Sequence, residues 1–332
     1  MSMPLGSRQV WIHLGVLAAS TAAAVGMWTR DKQPQAIAAG DVVVWSGHGA
    51  DVQKVTYESK AKTVLLEAKS DAEGRYFTGS IEREGFAPPA HDGGAAAPPP
   101  RTTVGFVSVG PGEKLAEALG SLKALRALGK IGDDRAAEFG LAEPEATVTV
   151  RVGGVEHKLL LGATTPGGGD RYAKDGATGE VYALRGEPIR ELESADSLLI
   201  ERELHEWKDA DVTSARIEAG GKARDLVRAG PETKRFWASA ESPDTNDETI
   251  GNWMTKLERL RPTEFQLTDP AGKEPVLRVS YKGKKPLGYL ELVKVKGDKA
   301  TFYVRTERTR LFGKVTASIA DQVEQDLGTI VK

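Results

Sequence analysis

The sequence predicts an α+β fold: an N-terminal transmembrane helix, then two tandem repeats, each an antiparallel sheet packed with an amphipathic helix. Three observations support this prediction. They are an apolar run near the start, a helical leucine pattern followed by alternating strands, and the return of that order about 130 residues later. We divide the chain into an anchor (1–35), a first repeat (41–200) and a second repeat (201–332).

Composition excludes several classes of protein. At 332 residues the chain is long enough for two domains with their own cores. A net charge of −2 and a pI near 6.3 give no overall reason to expect nucleic acid as a partner. With no cysteine, a disulfide framework, thiol catalysis and cysteine-ligated zinc are excluded, because each requires sulfur.

Residues 10–28 form an apolar run bracketed by Arg8 and Arg30. At about 1.5 Å per residue the run spans roughly 28 Å as a helix, which is close to the hydrocarbon thickness of a bilayer. Trp11 and Trp28 lie at its ends, where indole rings favour the membrane interface. We interpret the run as a single membrane-spanning anchor with the lipid bilayer as its partner.

Two alternatives to the anchor remain open. Ala36-Ile37-Ala38 has the small residues of a signal-peptide cleavage site, although the run is longer than a usual signal core and this site lies well beyond its end. A buried core helix would need a polar face, which the run lacks. Because a short tail before a first hydrophobic segment usually stays inside, we expect a single-pass protein of the bacterial inner membrane with most of its chain in the periplasm.

The sequence pattern of the first repeat is clearest between residues 113 and 161. An FGLxxP elbow at 139–144 precedes two alternating segments, 147–152 and 155–161, which Gly153-Gly154 joins as a hairpin. Four leucines at i, i+4, i+7 and i+10 predict a helix before the elbow: Leu115, Leu119, Leu122 and Leu125.

The opening of the first repeat is matched in the second. The matching positions lie 160, 161 and 160 residues apart: Val52 and Val212, Leu65 and Leu226, Arg75 and Arg235. A helix is then predicted at 247–260, and Pro262 ends it. The FQLxDP segment at 265–270 answers the elbow of the first repeat.

Further strands and a terminal helix complete each repeat. In the second repeat, strands are predicted around Leu277 to Tyr281, at 287–295 and at 301–305, with a turn at Lys282-Gly283-Lys284. Both repeats end on a short helix, at 188–193 and at 317–327. Only the first repeat carries the Ala, Pro and Gly tract at 86–103, which we interpret as a loop, with a proline-rich docking peptide as the alternative.

Several of these segments resemble the bacterial domain of unknown function 4340 family. The resemblance is carried by Leu125-Arg126-Ala127, the elbow at 139–144, the TVTV strand at 147–150, Leu161-Gly162 and Tyr172-Ala173. It implies one N-terminal membrane segment and a gene that is often encoded beside ABC transporters of the gliding-motility type. The second half departs from the pattern, with Gln266 in place of the elbow glycine, and the family has no catalytic residues to transfer.

A search for reactive residues finds no catalytic, cofactor or metal site. The five histidines lack metal-ligand spacing, and His157 is in phase with a sheet face. The glycine-rich segment 164–171 lacks the GK[ST] ending of a phosphate loop. The carboxylate pairs Asp133-Asp134 and Asp209/Asp211 lie at predicted element ends, where solvated turn residues are the simpler interpretation.

The region 270–314 has an unusual charge. It holds twelve Lys or Arg residues and four acidic ones, a net charge of +8. This excess predicts a docking face for an anionic partner, and the alternative is a solvated outer sheet face with edge-protecting lysines. The candidate residues of this basic face are Lys282, Lys284, Lys285, Arg305, Arg308 and Arg310.

These observations favour a non-enzymatic, membrane-anchored periplasmic accessory or scaffold protein of a cell-envelope complex. The expected partner, an ABC transporter subunit, follows from the resemblance alone. One alternative is a periplasmic module that binds an anionic polymer or lipid in a groove between the repeats. An envelope hydrolase is the least favoured interpretation, because no convergent set of reactive residues is visible.

Overall fold

Two antiparallel sheets, one of ten strands and one of eight, dominate the computed structural model, which describes residues 41–85 and 100–331. Together they belong to one compact unit, Val42–Lys332. The first sheet lies before residue 185 and the second after residue 213. The predicted division at residue 200 falls in the connection between the sheets and remains a prediction.

The first sheet and its helices occupy the chain up to residue 198. Its strands are β1 (Val42–Val43), β2 (Val52–Ser59), β3 (Lys62–Asp71), β4 (Gly74–Glu84), β5 (Arg101–Ser108), β6 (Lys123–Lys130), β7 (Ala146–Val152), β8 (Val155–Thr164), β9 (Arg171–Asp175) and β10 (Glu180–Leu184). Its helices are α1 (Gly110–Gly120), α2 (Asp133–Ala136), α3 (Glu187–Glu193) and α4 (Ala195–Leu198).

The second sheet has a matching set of elements. Its strands are β11 (Ser214–Ala219), β12 (Lys222–Ala229), β13 (Phe236–Ser239), β14 (Glu264–Phe265), β15 (Lys273–Lys282), β16 (Pro286–Val295), β17 (Thr301–Thr306) and β18 (Gly313–Val315). Its helices are α5 (Glu248–Glu258) and α6 (Ala317–Ile330).

Strand order is the same in the two sheets. The first runs β1-β6-β10-β9-β8-β7-β2-β3-β4-β5 and the second β13-β12-β11-β15-β16-β17-β18-β14. Without β1 and β5, the first order is β6-β10-β9-β8-β7-β2-β3-β4. The second order, read from its other end, is β14-β18-β17-β16-β15-β11-β12-β13, so each strand of one sheet has a counterpart at the same place in the other. The first sheet has two additional strands, β1 and β5, one at each edge.

The correspondence extends to individual side chains. Arg75 donates to the backbone carbonyl of Val52, and Arg235 donates to the carbonyl of Val212, 160 residues later in both cases. A 3₁₀ turn precedes each pair, at Gly49–Asp51 and at Asp209–Asp211. The two arginines therefore bind the backbone after the corresponding turn in each half.

The predicted α+β class is wrong, because the described chain is mostly β-sheet in two large antiparallel sheets. None of its helices has the length and apolar character needed to cross a bilayer. The transmembrane helix predicted at 10–28 and the cleavage pattern at 36–38 lie outside the described residues. So does most of the predicted loop, but residues 101–103 form the start of β5 and pair with β4.

The helix predicted through Leu125 is too long. It ends at Gly120, and the next residues form β6, with Leu122 buried just ahead of the strand. Gly120 cannot easily be replaced, because a Cβ there would lie 2.6 Å from the backbone of His48. The chain therefore packs a turn closely against the helix end, and the apolar residues beyond it join the sheet.

Each sheet buries one face under its own helices. In the first half α1 contributes Leu115, Ala116 and Leu119 to the core. In the second half α5 contributes Ile250, Trp253, Met254 and Leu257, and Asp247 caps this helix by accepting from the Ile250 amide at 3.1 Å. The buried apolar side chains form two clusters, and the first also includes Phe265 of β14 from the second sheet.

The elbow depends on Gly140. This residue ends a 3₁₀ turn in the left-handed region at φ 67°, and a Cβ there would lie 2.6 Å from the Ala163 amide nitrogen of β8. The ring of Phe139 meets the ring of Tyr172 edge to face, with centroids 4.9 Å apart.

We expect Gly140→Ala to cost about 2 kcal/mol of unfolding free energy, because it adds a steric clash to the unfavourable φ. Gly153→Ala is the matched control. Gly153 has φ 56° and nothing within 4 Å of an added Cβ, so only the backbone cost of about 1 kcal/mol applies. Urea unfolding of the two variants measures the difference, and equal midpoints would show that the contact with β8 is unimportant.

Candidate functional site at the junction of the two sheets

The six predicted basic residues lie in two places. Lys282, Lys284 and Lys285 are exposed at the turn between β15 and β16, and they have no ion pair with any described residue. Arg305 lies on β17, while Arg308 and Arg310 lie in the loop that follows it. Each of these arginines has an acidic partner, so the basic face remains a prediction that depends mainly on the lysines.

Arg305 belongs to a cross-strand row of alternating charge on the outer face of the second sheet. The row runs from Glu218 through Arg278 and Glu291 to Arg305, on four neighbouring strands. Arg305 lies 2.8 Å from Glu291, and Arg278 lies 3.9 Å from the same carboxylate. Opposite charges that face each other across strands stabilise a sheet, so part of the positive charge of 270–314 is neutralised locally.

Arg308 forms a buried ion pair with Glu201, which lies between α4 and β11. The Nε and Nη2 atoms of Arg308 are 3.2 and 3.3 Å from the two carboxylate oxygens, and the Glu201 side chain is 2% exposed. Glu201 also accepts from the amide of Gly110, the first residue of α1, at 3.3 Å. A carboxylate is favoured at a helix N-terminus. Glu201 therefore links the first half to an arginine of the second.

Arg310 forms a second link between the halves. Its Nη1 lies 3.4 Å from Asp71 at the end of β3, and its Nη2 donates to the Glu73 carbonyl at 3.0 Å. The Arg310 side chain is 4% exposed, and it is the one non-glycine residue with positive φ (61°) in the described chain. We call Asp71, Glu201, Arg308 and Arg310 the junction cluster.

A second buried polar group lies beside the junction cluster. Nδ1 of His205 is 2.8 Å from Glu307, whose other carboxylate oxygen accepts from the Tyr289 amide at 2.9 Å. His205 stacks on Trp207 with centroids 4.1 Å apart, and both rings contact Tyr281. Burial raises the pKa of the Tyr281 hydroxyl, and Glu258 and Glu307 raise it further.

Glu258 ends α5 at the edge of a groove of about 670 Å³ in the second half. Burial raises the pKa of this carboxyl, Asp209 raises it further, and Arg228 opposes both. The groove mixes charges of both signs, and Arg228 is paired with Asp209. It therefore lacks the single dominant charge that an anionic ligand would need.

A pH dependence follows from Glu258. The pKa of Glu258 is higher in the folded than in the unfolded protein, so between these two pKa values the folded protein binds more protons. The free energy of unfolding therefore falls as the pH rises through this range. Glu258→Gln should therefore be slightly more stable than the wild type at pH 8, by under about 1 kcal/mol, because the residue is exposed and solvent screens its charge. The gain should vanish below pH 4 in urea unfolding. A gain that is the same at both pH values would contradict the assignment.

The other residues considered as candidates from the sequence lie in turns, at element ends or in packing contacts. His157 stacks on Trp45 with centroids 4.6 Å apart. The segment 164–171 leads into strand β9, not into a helix. Asp133 and Asp134 begin α2, and Asp209 and Asp211 belong to a 3₁₀ turn. Among the described residues, no group of His, Asp or Glu has an arrangement that could hold a metal ion.

Sequence reasoning missed the partners that define the junction. Glu201, His205 and Asp71 have no motif, and their partners lie more than 100 residues away in the chain. One signal was available: both Arg308 and Arg310 were singled out as charged residues. What the sequence did not show is that they face acidic partners.

Fold and site together define a class: a β-rich protein of two like-ordered sheets joined by buried ion pairs. The family model for the domain of unknown function DUF4340 matches residues 112–286, from within α1 to the first residue of β16. The chain belongs to this family, as the resemblance in the sequence suggested. No curated protein matches the chain. No solved structure matches it either.

Proposed function

We propose that the chain is a non-enzymatic accessory or scaffold protein of a cell-envelope complex. Residues 10–28 hold it at the bacterial inner membrane, and the bulk of the chain lies in the periplasm. The junction cluster is the observation that carries this proposal. It uses four charged side chains to fasten one sheet to the other, so that both sheets present their outer faces to a partner as a single body.

Three lines support the proposal. Arg308 and Arg310 are each paired with a carboxylate of the same chain, which suits a structural role. The apolar run ends at Trp28, and 13 residues separate it from Val42, where the compact unit begins, so an anchor at 10–28 would be joined to that unit by a short segment. The partner, an ABC transporter of the gliding-motility type, follows from the family resemblance.

Capture from membranes tests the proposal. The full chain, tagged at its C-terminus, is solubilised from inner membranes in mild detergent, and the proteins that co-purify are identified and quantified. We expect subunits of an ABC transporter in a fixed ratio, with recovery reduced in Arg308→Ala and unchanged in Arg216→Ala. Recovery of the chain alone, or from the soluble fraction with residues 1–38 missing by intact mass, would contradict the proposal.

A second function is favoured by the lysine turn. Lys282, Lys284 and Lys285 are three exposed cations within four residues, and none is paired with a described residue. This turn suits binding of an anionic polymer or lipid. With heparin as the probe, replacing all three lysines with Gln should lower the salt needed to elute the full chain. Lys222→Gln, at another exposed hairpin, is the control, and equal elution of both variants would exclude this function.

A further inference from the structure

Among the described strands, none pairs with the outer edge of β6 along most of its length. Strand β10 pairs with the other side of β6 from Ala124 to Lys130. On the outer side only β1 pairs with it, through Val42 opposite Ala124 and Val43 opposite Lys123. In the part of the chain that the structure describes, no strand pairs with this edge over residues 125–130.

The corresponding edge of the second sheet is short and covered. There the matching strand is β14, which is only two residues long. Its Phe265 carbonyl packs against Gly105 of β5, where an added Cβ would lie 2.5 Å from the oxygen. Natural proteins shorten or cover exposed sheet edges, because unpaired backbone groups recruit other strands. The second half does both, whereas the first half keeps β6, a strand of eight residues with basic side chains and two register shifts against β10.

Three basic side chains lie along the open edge, and Glu180 of β10 lies opposite one of them, Lys130. Lys123, Arg126 and Lys130 are all exposed, and none has an ion pair with a described residue. On the second sheet, by contrast, Arg216 and Arg305 are both paired with carboxylates. Like charges would oppose each other if β6 paired with a second copy of itself, so the charge pattern disfavours self-association. It favours an acidic strand.

We propose that the edge of β6 is a strand-addition site for an extended, acidic segment of a partner protein. Backbone hydrogen bonds to residues 125–130 would supply affinity, as in other cases where a peptide adds a strand to a sheet. Lys123, Arg126 and Lys130 select for acidic side chains on the added strand, and the half-buried Leu125 and Leu128 offer apolar contacts between them. This inference rests on the proposed function for the existence of a protein partner, and it specifies where that partner binds and through what chemistry.

Hydrogen exchange on the purified full chain in detergent tests the site with defined probes. The first probe is an eight-residue peptide of alternating Glu and Val, and the matched probe alternates Lys and Val. We expect the acidic peptide to slow exchange of outward-facing amides within 125–130 at least tenfold, and the basic peptide to leave them unchanged. Arg126→Glu should weaken binding of the acidic peptide about fivefold. Lys222→Glu, at an exposed hairpin of the second sheet, should not.

Several outcomes would overturn the proposal. They include no slowing with the acidic peptide, equal slowing by both peptides, and protection by anionic vesicles that the acidic peptide does not reproduce. Slow exchange at 125–130 without any peptide would also overturn it. If that protection rises with protein concentration, a second copy occupies the edge; if not, the chain's own residues do. The experiment contains no membrane partner, so a failure to capture a transporter would overturn the proposed function without affecting this result.

Discussion

Replacing Arg308 with alanine should lower the unfolding free energy by about 3 kcal/mol. The loss follows from Glu201, which is 2% exposed and would lose the guanidinium that pairs with it. Removing one partner of a buried ion pair typically costs 3–5 kcal/mol. We expect the low end of this range, because Arg308 is 19% exposed and the Gly110 amide still donates to Glu201.

Two further variants separate the buried charge from other effects of truncation. Glu201→Gln combined with Arg308→Ala removes the uncompensated charge and should recover about half of the lost stability. Arg216→Ala breaks an exposed pair with Asp225 and should leave the urea midpoint nearly unchanged. Urea midpoints of the three variants provide the comparison. If Arg308→Ala costs no more than Arg216→Ala, the Glu201–Arg308 pair does not hold the halves together.

Replacing Trp253 with alanine should be at least as damaging, at about 4 kcal/mol. Trp253 is 1% exposed in the core of the second half, and its indole donates to the Val323 carbonyl of α6 at 3.0 Å. The substitution leaves a large cavity between α5 and α6 and removes the hydrogen bond that links the two helices.

Trp253→Phe is the matched variant, because it keeps most of the apolar volume and loses the hydrogen bond. We expect it to cost about 1–2 kcal/mol, which is the value of that bond together with a small cavity. Because the substitutions remove a tryptophan and so change the fluorescence signal, unfolding in urea is followed by far-ultraviolet circular dichroism. A cost for Trp253→Ala no larger than that for Trp253→Phe would mean that the α5–α6 contact is not part of the core.

Local patterns predicted several elements correctly. The β7–β8 hairpin follows from alternating valines and a Gly153-Gly154 turn, and both glycines have positive φ. Helix α5 follows from an apolar stripe between the cap at Asp247 and the break at Pro262. In each of these elements, the residues that decide the structure are close together in the chain.

Other elements could not be predicted, for physical reasons that differ. Leucines 122 and 125 fit a helical period, but the close approach of Gly120 to His48 ends the helix before them. Strand β5 begins inside a Pro-rich tract and exists because β4 pairs with it. The junction cluster needs contacts between residues such as Asp71 and Arg310, which only the folded chain brings together.

The account depends most on the two sheets behaving as one body. Pulsed electron paramagnetic resonance measures this directly, because the chain has no native cysteine and spin labels at Lys158→Cys and Ala223→Cys are unique. The structure predicts one narrow distance distribution that broadens when Arg308 is replaced with alanine. A broad or multiple distribution in the labelled protein that retains Arg308 would contradict the account.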